Sequence, residues 1–121
     1  MKILITGATG FVGQNFIREV RREYECQPLL LRDTEINVLE LNNSRVVIHF
    51  AGKAHDLKKI SKPDEYYHVN TKLTEKVFDA FLASGAKVFI TLSAVKAVAD
   101  EVQGELTEQH HPIPITHYGK S

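Results

Sequence analysis

The first half of the chain alternates short apolar runs with a stretch of helical spacing. Residues 3–5 are continuously apolar, which is typical of strands that a parallel sheet buries on both faces. After a glycine-rich turn, residues 11–24 carry apolar side chains at helical spacing opposite a charged face, which predicts an amphipathic helix. Pro28 then precedes a second apolar run at residues 29–31, which predicts the next strand.

The segment that follows is too short for a complete third unit. A parallel crossover needs a dozen or more residues, whereas residues 34–45 are all that separate the second predicted strand from the next one at residues 46–52. A third strand at residues 36–39 would leave no room for a full helix on each side of it. We therefore expect the third strand to be short or missing.

The second half predicts one long helix and one more strand. Residues 64–84 carry apolar side chains along one helical face, and Gly85 is a natural residue to cap that helix. Residues 88–92 predict the last strand. Residues 99–116 are polar and contain prolines, which predicts a loop, and a further helix is expected to begin near Tyr118.

The alternation of strands and helices predicts an α/β fold with a parallel sheet that is wound on both sides. About five strands are expected in the order 3-2-1-4-5, the third short or missing. The chain has 121 residues, enough for one domain with its own core. Because the last predicted helix has barely begun when the sequence stops, we expect residues 1–121 to form one domain that is incomplete at its C-terminal end.

Composition and charge narrow the classes of function. Lys plus Arg and Asp plus Glu balance at 15 each, so no net positive field attracts a phosphodiester backbone, and nucleic acid is not an expected partner. Cys26 is the one cysteine, which excludes an internal disulfide. No apolar stretch approaches the roughly 20 residues of a membrane span. We expect a cytoplasmic protein with no membrane partner.

The turn after the first apolar run carries the strongest chemical signal. It reads TGATGFVG over residues 6–13 and lies between a predicted strand and a predicted amphipathic helix. Gly7 allows a sharp turn, Gly10 allows the backbone to approach a diphosphate, and Gly13 allows the helix to pack closely on the sheet. The start of the helix then attracts the phosphates through its free amides and its dipole. The predicted cofactor-binding residues of the turn are Gly7, Thr9, Gly10, Phe11, Val12 and Gly13.

A residue that binds the adenosine ribose is expected about 20 residues after such a turn. Asp33 lies 20 residues after Gly13, and Arg32 lies beside it. A carboxylate accepts hydrogen bonds from the ribose of NAD, whereas a guanidinium pairs with the 2′-phosphate of NADP. Both residues are candidates, so NAD and NADP both remain open. The alternative is a structural turn without a ligand, followed by a solvated strand end.

Four further segments complete a resemblance to one family. They occur in the family's order and read HFAGKAH at 49–55, HVNT at 68–71, LSAVK at 92–96 and YGKS at 118–121. Together with the turn, they resemble the NAD-dependent epimerase/dehydratase family of the extended short-chain dehydrogenase/reductase superfamily. The resemblance covers nearly the whole chain, and the ordered set is more specific than any single motif.

The resemblance implies a Rossmann-type domain, NAD or NADP as cofactor, a nucleotide-sugar substrate and a homodimer. It also implies a smaller C-terminal substrate domain, which the 121 residues lack. The additional cofactor-binding residues that it implies are Phe50, Ala51, Gly52 and Asn70. The chain is thus expected to be the NAD(P)-binding portion of a nucleotide-sugar epimerase/dehydratase-like oxidoreductase, inactive as it stands. The alternative is a non-catalytic dinucleotide-binding sensor or interaction module.

The catalytic residues implied by the resemblance are Tyr118, as general acid/base, and Ser93. A lysine four residues after the tyrosine would share its helix face and lower its pKa, but that position lies beyond residue 121, and Lys120 points elsewhere. Ala94 occupies the position of the family's hydroxyl residue, so either Ser93 is used through a shifted loop or the proton relay is lost. The alternative for Tyr118 is a partly buried aromatic residue at a helix start. Whether the chain comes from an active enzyme is left open.

The histidines do not predict a metal site. His110, His111 and His117 lie near one another, but they lack the i, i+4 spacing of a helical ligand pair. His49 falls in a predicted buried strand and is expected to be a hydrogen-bonded core residue. For Asn70, the alternative to cofactor contact is an ordinary surface asparagine.

Overall fold

One parallel sheet organises the protein. The computed structural model describes residues 1–31, 36, 38–54 and 62–121, with only the backbone of residue 39. In the described residues, four parallel strands lie in the spatial order β2-β1-β3-β4. The strands are β1 at Lys2–Thr6, β2 at Glu25–Leu29, β3 at Val46–His49 and β4 at Val88–Thr91. The observed β3 and β4 correspond to the fourth and fifth strands of the predicted order 3-2-1-4-5, whose third strand is missing from the described residues. The arrangement confirms the α/β fold.

Helices flank both faces of the sheet. They are α1 at Phe11–Val20, α2 at Val38–Asn42, α3 at Pro63–Tyr66, a π-helical segment at Tyr67–Lys72, α4 at Leu73–Leu82, a 3₁₀ turn at Val95–Ala97 and α5 at His117–Lys120. Phe16 and Ile17 of α1 pack on one face, whereas Leu41 of α2 and Val77 of α4 pack on the other. Within the described part of the chain, none of these helices has the length and apolar character needed to cross a bilayer.

The strand side chains alternate between two apolar cores. Leu4 and Val47 are completely buried on the α4 face of the sheet, whereas Ile3, Ile5 and Ile48 belong to the cluster on the α1 face. Neighbouring residues of a strand point to opposite faces, so a sheet that is covered on both sides needs uninterrupted apolar runs. This explains why β1 and β3 were the clearest strands in the sequence.

The second strand lies earlier in the chain than predicted. The apolar run at residues 29–31 predicts a strand there, but β2 ends at Leu29 and Leu30 is 61% exposed. Pro28 lies inside the strand, opposite Ile5 of β1. Among the described residues β2 is the edge strand of the sheet and pairs with β1 alone, so it tolerates a residue that cannot donate a backbone hydrogen bond.

The place proposed for a third strand contains a helix instead. Residues 36–39 could have formed a strand, but Val38–Asn42 is the short helix α2. Leu41 is completely buried in the cluster that contains Leu4 and Val77, and Val38 packs against the same cluster. A helical turn brings Val38 and Leu41 to one face, whereas a strand would point them to opposite faces.

The C-terminal ends of two helices differ from the predicted ends. Helix α1 ends at Val20 rather than Tyr24, whose amide turns back to the Val20 carbonyl oxygen at 3.0 Å. The helix predicted over residues 64–84 forms as three consecutive segments that end at Leu82. Gly85 does not cap it in a left-handed conformation; its amide donates to Asn42 Oδ1 at 2.7 Å.

An apolar strip on the α1 face remains open to solvent. Val88 and Ile90 of β4 are each 42% exposed, and Leu92 beyond the strand is 58% exposed. These side chains line a groove of about 510 Å³ between α1 and the sheet. Exposed apolar surface of this kind favours association.

We expect the 121-residue chain to self-associate through this strip. Ile90→Lys should shift the chain towards monomer in sedimentation velocity, because a charge at the centre of the strip would be desolvated on association. Ile113→Lys is the matched control, since Ile113 is 68% exposed but lies in the loop before α5. Wild type that stays monomeric at high concentration would contradict the prediction.

Candidate functional site

The glycine-rich turn lies at the carboxyl edge of the sheet, between β1 and α1. Gly7 has a φ of +66°, in the left-handed region that favours glycine. The Gly10 amide donates to the Gly7 carbonyl oxygen at 3.0 Å and closes the turn. Gly10 is the N-cap residue of α1, and its missing side chain leaves the start of the helix uncapped by a side-chain hydrogen bond. Phe11, the first residue of α1, is 85% exposed.

The three glycines of the turn have different steric surroundings. A Cβ atom on Gly7 would lie 2.5 Å from the backbone nitrogen of Ala51, and one on Gly13 would collide with the carbonyl oxygen of Gly7. A Cβ atom on Gly10 would have one neighbour within 4 Å, the same Gly7 oxygen at 3.3 Å. Gly7 and Gly13 are thus required by packing within the protein, whereas among the described residues a Cβ atom on Gly10 would meet this one oxygen alone.

The segment after β3 forms the other side of this edge. Phe50 donates its amide to the Thr6 carbonyl oxygen at 3.2 Å, and its ring packs edge-on against Phe16 at a centroid distance of 5.3 Å. The Phe50 side chain therefore belongs to the core on the α1 face. Ala51 approaches Gly7 closely, as described above, and Gly52 faces the Asn70 side chain. The predicted cofactor-binding residues of the turn and of this segment are thus brought together.

Asn70 ties the segment after β3 to the helical region. Its Oδ1 atom accepts from the Lys53 amide at 2.6 Å, and its Nδ2 atom donates to the Lys53 carbonyl oxygen at 3.1 Å and to Ser121 Oγ at 3.0 Å. Asn70 lies in the π-helical segment, a feature that often occurs at functional sites. The amide group therefore bonds to protein partners, which makes Asn70 a residue that shapes the site.

Three threonine and histidine side chains form a buried hydrogen-bond network that sequence reasoning missed. Thr6 and His49 are paired across β1 and β3, and both are buried. Thr6 Oγ1 lies 2.7 Å from His49 Nδ1 and accepts from the Ala51 amide at 3.2 Å. His49 Nε2 lies 3.0 Å from Thr74 Oγ1 of α4. The prediction that His49 is a hydrogen-bonded core residue is confirmed, but its partners depend on strand register, which no local motif reveals.

Two described groups at this edge have shifted pKa values. Burial lowers the pKa of His49 below its ordinary value of 6.5. The Lys53 ammonium bonds to Glu65 at 3.0 Å and, mainly through that hydrogen bond, lowers the pKa of the Glu65 carboxyl group. The described ranges contain no group of three or more His, Cys, Asp or Glu side chains arranged to hold an ion.

The two residues predicted to be catalytic are Ser93, in the loop between β4 and the 3₁₀ turn, and Tyr118 on α5, which packs against that turn. Ser93 follows β4 and is exposed, whereas Tyr118 on α5 is partly buried, with its ring 6.0 Å from that of Tyr66. Gly119 lets α5 approach the carbonyl oxygen of Lys96 so closely that a Cβ atom would collide with it. The catalytic roles of Ser93 and Tyr118 remain predictions.

Several predicted residues are not part of this arrangement. Lys120 is exposed, unlike Tyr118, as expected for residues two positions apart in a helix. The two ribose-binding candidates Arg32 and Asp33 lie outside the described residues, as does His55. The roles of Thr9, Phe11 and Val12 in cofactor binding remain predictions.

Comparison with known proteins identifies the family. The family model described as the NAD dependent epimerase/dehydratase family matches residues 25–121. The chain belongs to this family. A curated relative, UDP-glucose 4-epimerase of Vibrio cholerae, is 33% identical over an alignment of 114 residues. The alignment covers 78% of this chain and 35% of the relative. The chain thus spans about a third of that relative's length.

Solved structures confirm the Rossmann-type fold. UDP-glucuronic acid 4-epimerase from Bacillus cereus, in complex with NAD, matches with a TM-score of 0.81 and 23% identity, over 99% of this chain and 48% of that one. RMD from Pseudomonas aeruginosa, complexed with NADPH, matches with a TM-score of 0.78 and 20% identity, over 98% of this chain and 44% of that one.

Proposed function

We propose that this chain is the NAD(P)-binding portion of a nucleotide-sugar epimerase/dehydratase-like oxidoreductase. The observation that carries the proposal is the turn at residues 6–13, where Gly10 at the start of α1 is the least crowded of the three glycines, with the Gly7 oxygen as the one near neighbour of a Cβ atom among the described residues. In a doubly wound sheet, ligands bind at the carboxyl ends of the strands where the strand order reverses. In the order β2-β1-β3-β4, that point lies between β1 and β3, beside this turn.

The chemistry of the turn fits a diphosphate. The first amides of α1 and the positive end of its dipole favour anionic oxygens. Absence of a side chain at position 10 lets these oxygens come close to the backbone. The same proposal leaves NAD and NADP as alternative cofactors, since the solved relatives include one with NAD and one with NADPH.

For the whole protein, we propose a nucleotide-sugar substrate, with Tyr118 as general acid/base and Ser93 as its hydroxyl partner. The packing of α5 against the 3₁₀ turn after β4 supports a shared site for these two residues. Ala94 favours the second candidate function, a non-catalytic dinucleotide-binding module, because it removes the hydroxyl group of the family pattern. Turnover of a UDP-sugar by the full-length protein would exclude that candidate.

We also propose a homodimer formed through the helical region after β3. Phe78 of α4 is 41% exposed and Leu82, the last residue of α4, is 63% exposed, although both are large apolar side chains. Their exposure supports a contact surface on this helix.

Calorimetric titration with NAD, NADH, NADP and NADPH tests dinucleotide binding. We expect at least one of the four to bind, and Gly10→Ala to weaken it by about tenfold or more, because the methyl group occupies the space that the diphosphate approaches. The matched control is Gly85→Ala, whose Cβ atom would lie 3.6 Å from its nearest neighbour and far along the chain from the turn. A folded wild-type chain that binds none of the four would refute the proposed function.

A further inference from the structure

We infer that His49 is a positioning residue for the dinucleotide site: it orients the Thr6 hydroxyl group, which holds the glycine-rich turn against the segment after β3. The inference rests on the proposed function. In the proposed function the turn would contact the diphosphate through backbone amides, whereas His49 is a buried side chain with 3% of its surface exposed.

The hydrogen-bond network specifies which nitrogen of His49 carries the proton. Thr74 Oγ1 donates its hydrogen to the Asn70 carbonyl oxygen at 2.6 Å, so towards His49 it can only accept. The His49 Nε2 atom must therefore be the donor, and in a neutral ring Nδ1 is then the acceptor. Nδ1 accepts the hydroxyl hydrogen of Thr6 at 2.7 Å.

This arrangement leaves the Thr6 oxygen free to accept from Ala51. The Ala51 amide donates to Thr6 Oγ1 at 3.2 Å, immediately beside the point where the Ala51 backbone approaches Gly7. Thr6 is the last residue of β1, and Gly7 opens the turn. The relay His49–Thr6–Ala51 therefore joins the two backbone segments between which the dinucleotide is proposed to lie.

The same network reaches the far side of the site. Thr74 bonds to the backbone of Asn70, whose side chain holds both backbone groups of Lys53. His49 is thus the point where hydrogen bonds from β1 and from the helical region meet. Its ring stacks on Phe89 of β4, with ring centroids 6.3 Å apart.

Protonation of His49 would disturb this relay. A second N–H group would face Thr6 Oγ1, and the Thr6 hydroxyl hydrogen would lose its acceptor. The groups that face the ring in the described residues are Thr6 from β1, Thr74 from α4 and Phe89 from β4, all of them uncharged. Burial accordingly lowers the His49 pKa below 6.5, and the neutral ring is the resident form near neutral pH.

The lowered pKa of His49 makes the stability of the fold depend on pH. The folded protein binds a proton at His49 less readily than the unfolded chain, so lowering the pH below about 6.5 destabilises the fold. If the turn depends on the neutral ring, dinucleotide affinity falls at lower pH, as the pH passes the lowered pKa of His49 in the folded protein. Near neutral pH and above, both quantities should be unaffected by this group.

The test is the affinity of the full chain for its dinucleotide, measured calorimetrically with NAD or NADP. His49→Leu removes both hydrogen bonds and should weaken binding by about tenfold. His49→Asn restores an acceptor near the position of Nδ1 and should recover most of that loss. The matched control is His110→Leu, in which the removed ring bonds to the exposed Thr107 in the distal loop.

The pH dependence of dinucleotide binding is a second test, and it does not require the His49→Leu variant to fold. Wild-type affinity should decrease as the pH is lowered below 6.5 and His49 takes up a proton, and His49→Asn should show a flatter profile because it does not titrate. Identical profiles for both proteins would overturn the positioning role, and so would equal affinity of wild type and His49→Leu. A wild type that binds no dinucleotide would instead refute the proposed function, and this inference with it.

Discussion

Gly13→Ala is expected to lower the free energy of unfolding by about 1–3 kcal/mol and to abolish dinucleotide binding. The added methyl group would collide with the Gly7 carbonyl oxygen and lie 2.9 Å from the Ala8 Cα atom. Both neighbours are backbone, so relief requires α1 to move away from the turn. Urea unfolding and calorimetric titration with NAD or NADP measure the two effects separately.

Gly10→Ala is the control that separates steric strain from ligand exclusion. Gly10 has an extended conformation, with φ −76° and ψ 169°, that alanine adopts without strain. Its Cβ atom would meet one oxygen at 3.3 Å, which a small adjustment relieves. We therefore expect Gly10→Ala to unfold at nearly the wild-type urea concentration while binding weakly. Equal stability of Gly13→Ala and wild type would contradict the close packing of α1 on the turn.

Asn70→Ala is expected to lower the free energy of unfolding by about 2 kcal/mol. The substitution removes the three hydrogen bonds of the side chain and leaves the part-buried backbone groups of Lys53 without these partners. The segment after β3 then loses its tie to the helical region, so dinucleotide affinity should fall as well. Urea unfolding measures the first effect, and calorimetric titration measures the second.

Asn42→Ala is the matched control. Asn42 is exposed and its Oδ1 atom accepts one hydrogen bond, from the Gly85 amide, on the opposite end of the helical region from the site. We expect a loss of no more than about 1 kcal/mol and unchanged dinucleotide affinity. If Asn70→Ala cost no more stability than Asn42→Ala, the bridging role of Asn70 would be wrong.

Strong local patterns were sufficient to predict the centre of the fold. Residues 3–5 and 46–49 are strands because continuous apolar runs suit a sheet that is covered on both faces. The turn between β1 and α1 was predicted because glycines between a strand and an amphipathic helix have few other uses. In these places the local preference and the tertiary environment agree.

Weak local patterns were decided by position in the fold. Pro28 looked like the start of a strand, yet it lies within β2, because an edge strand has a side on which no hydrogen bond is needed. A strand at residues 36–39 was predicted as possible, but residues 38–42 form a helix. Val38 and Leu41 both pack on the cluster that contains Val77, and a helix brings them to one face.

The candidate site also has features that local patterns predicted and features that the fold decided. The ordered motifs resembled one family, which the family model confirms, and the alternation of strands and helices predicted the parallel sheet. Local backbone geometry predicted the glycine-rich turn with glycines at positions 7, 10 and 13. Only the tertiary structure decided that Gly10 is the least crowded of the three and that Thr6, His49 and Thr74 meet beneath the turn. Those contacts join residues up to 43 positions apart through the register of parallel strands, and register is set by packing of the whole sheet.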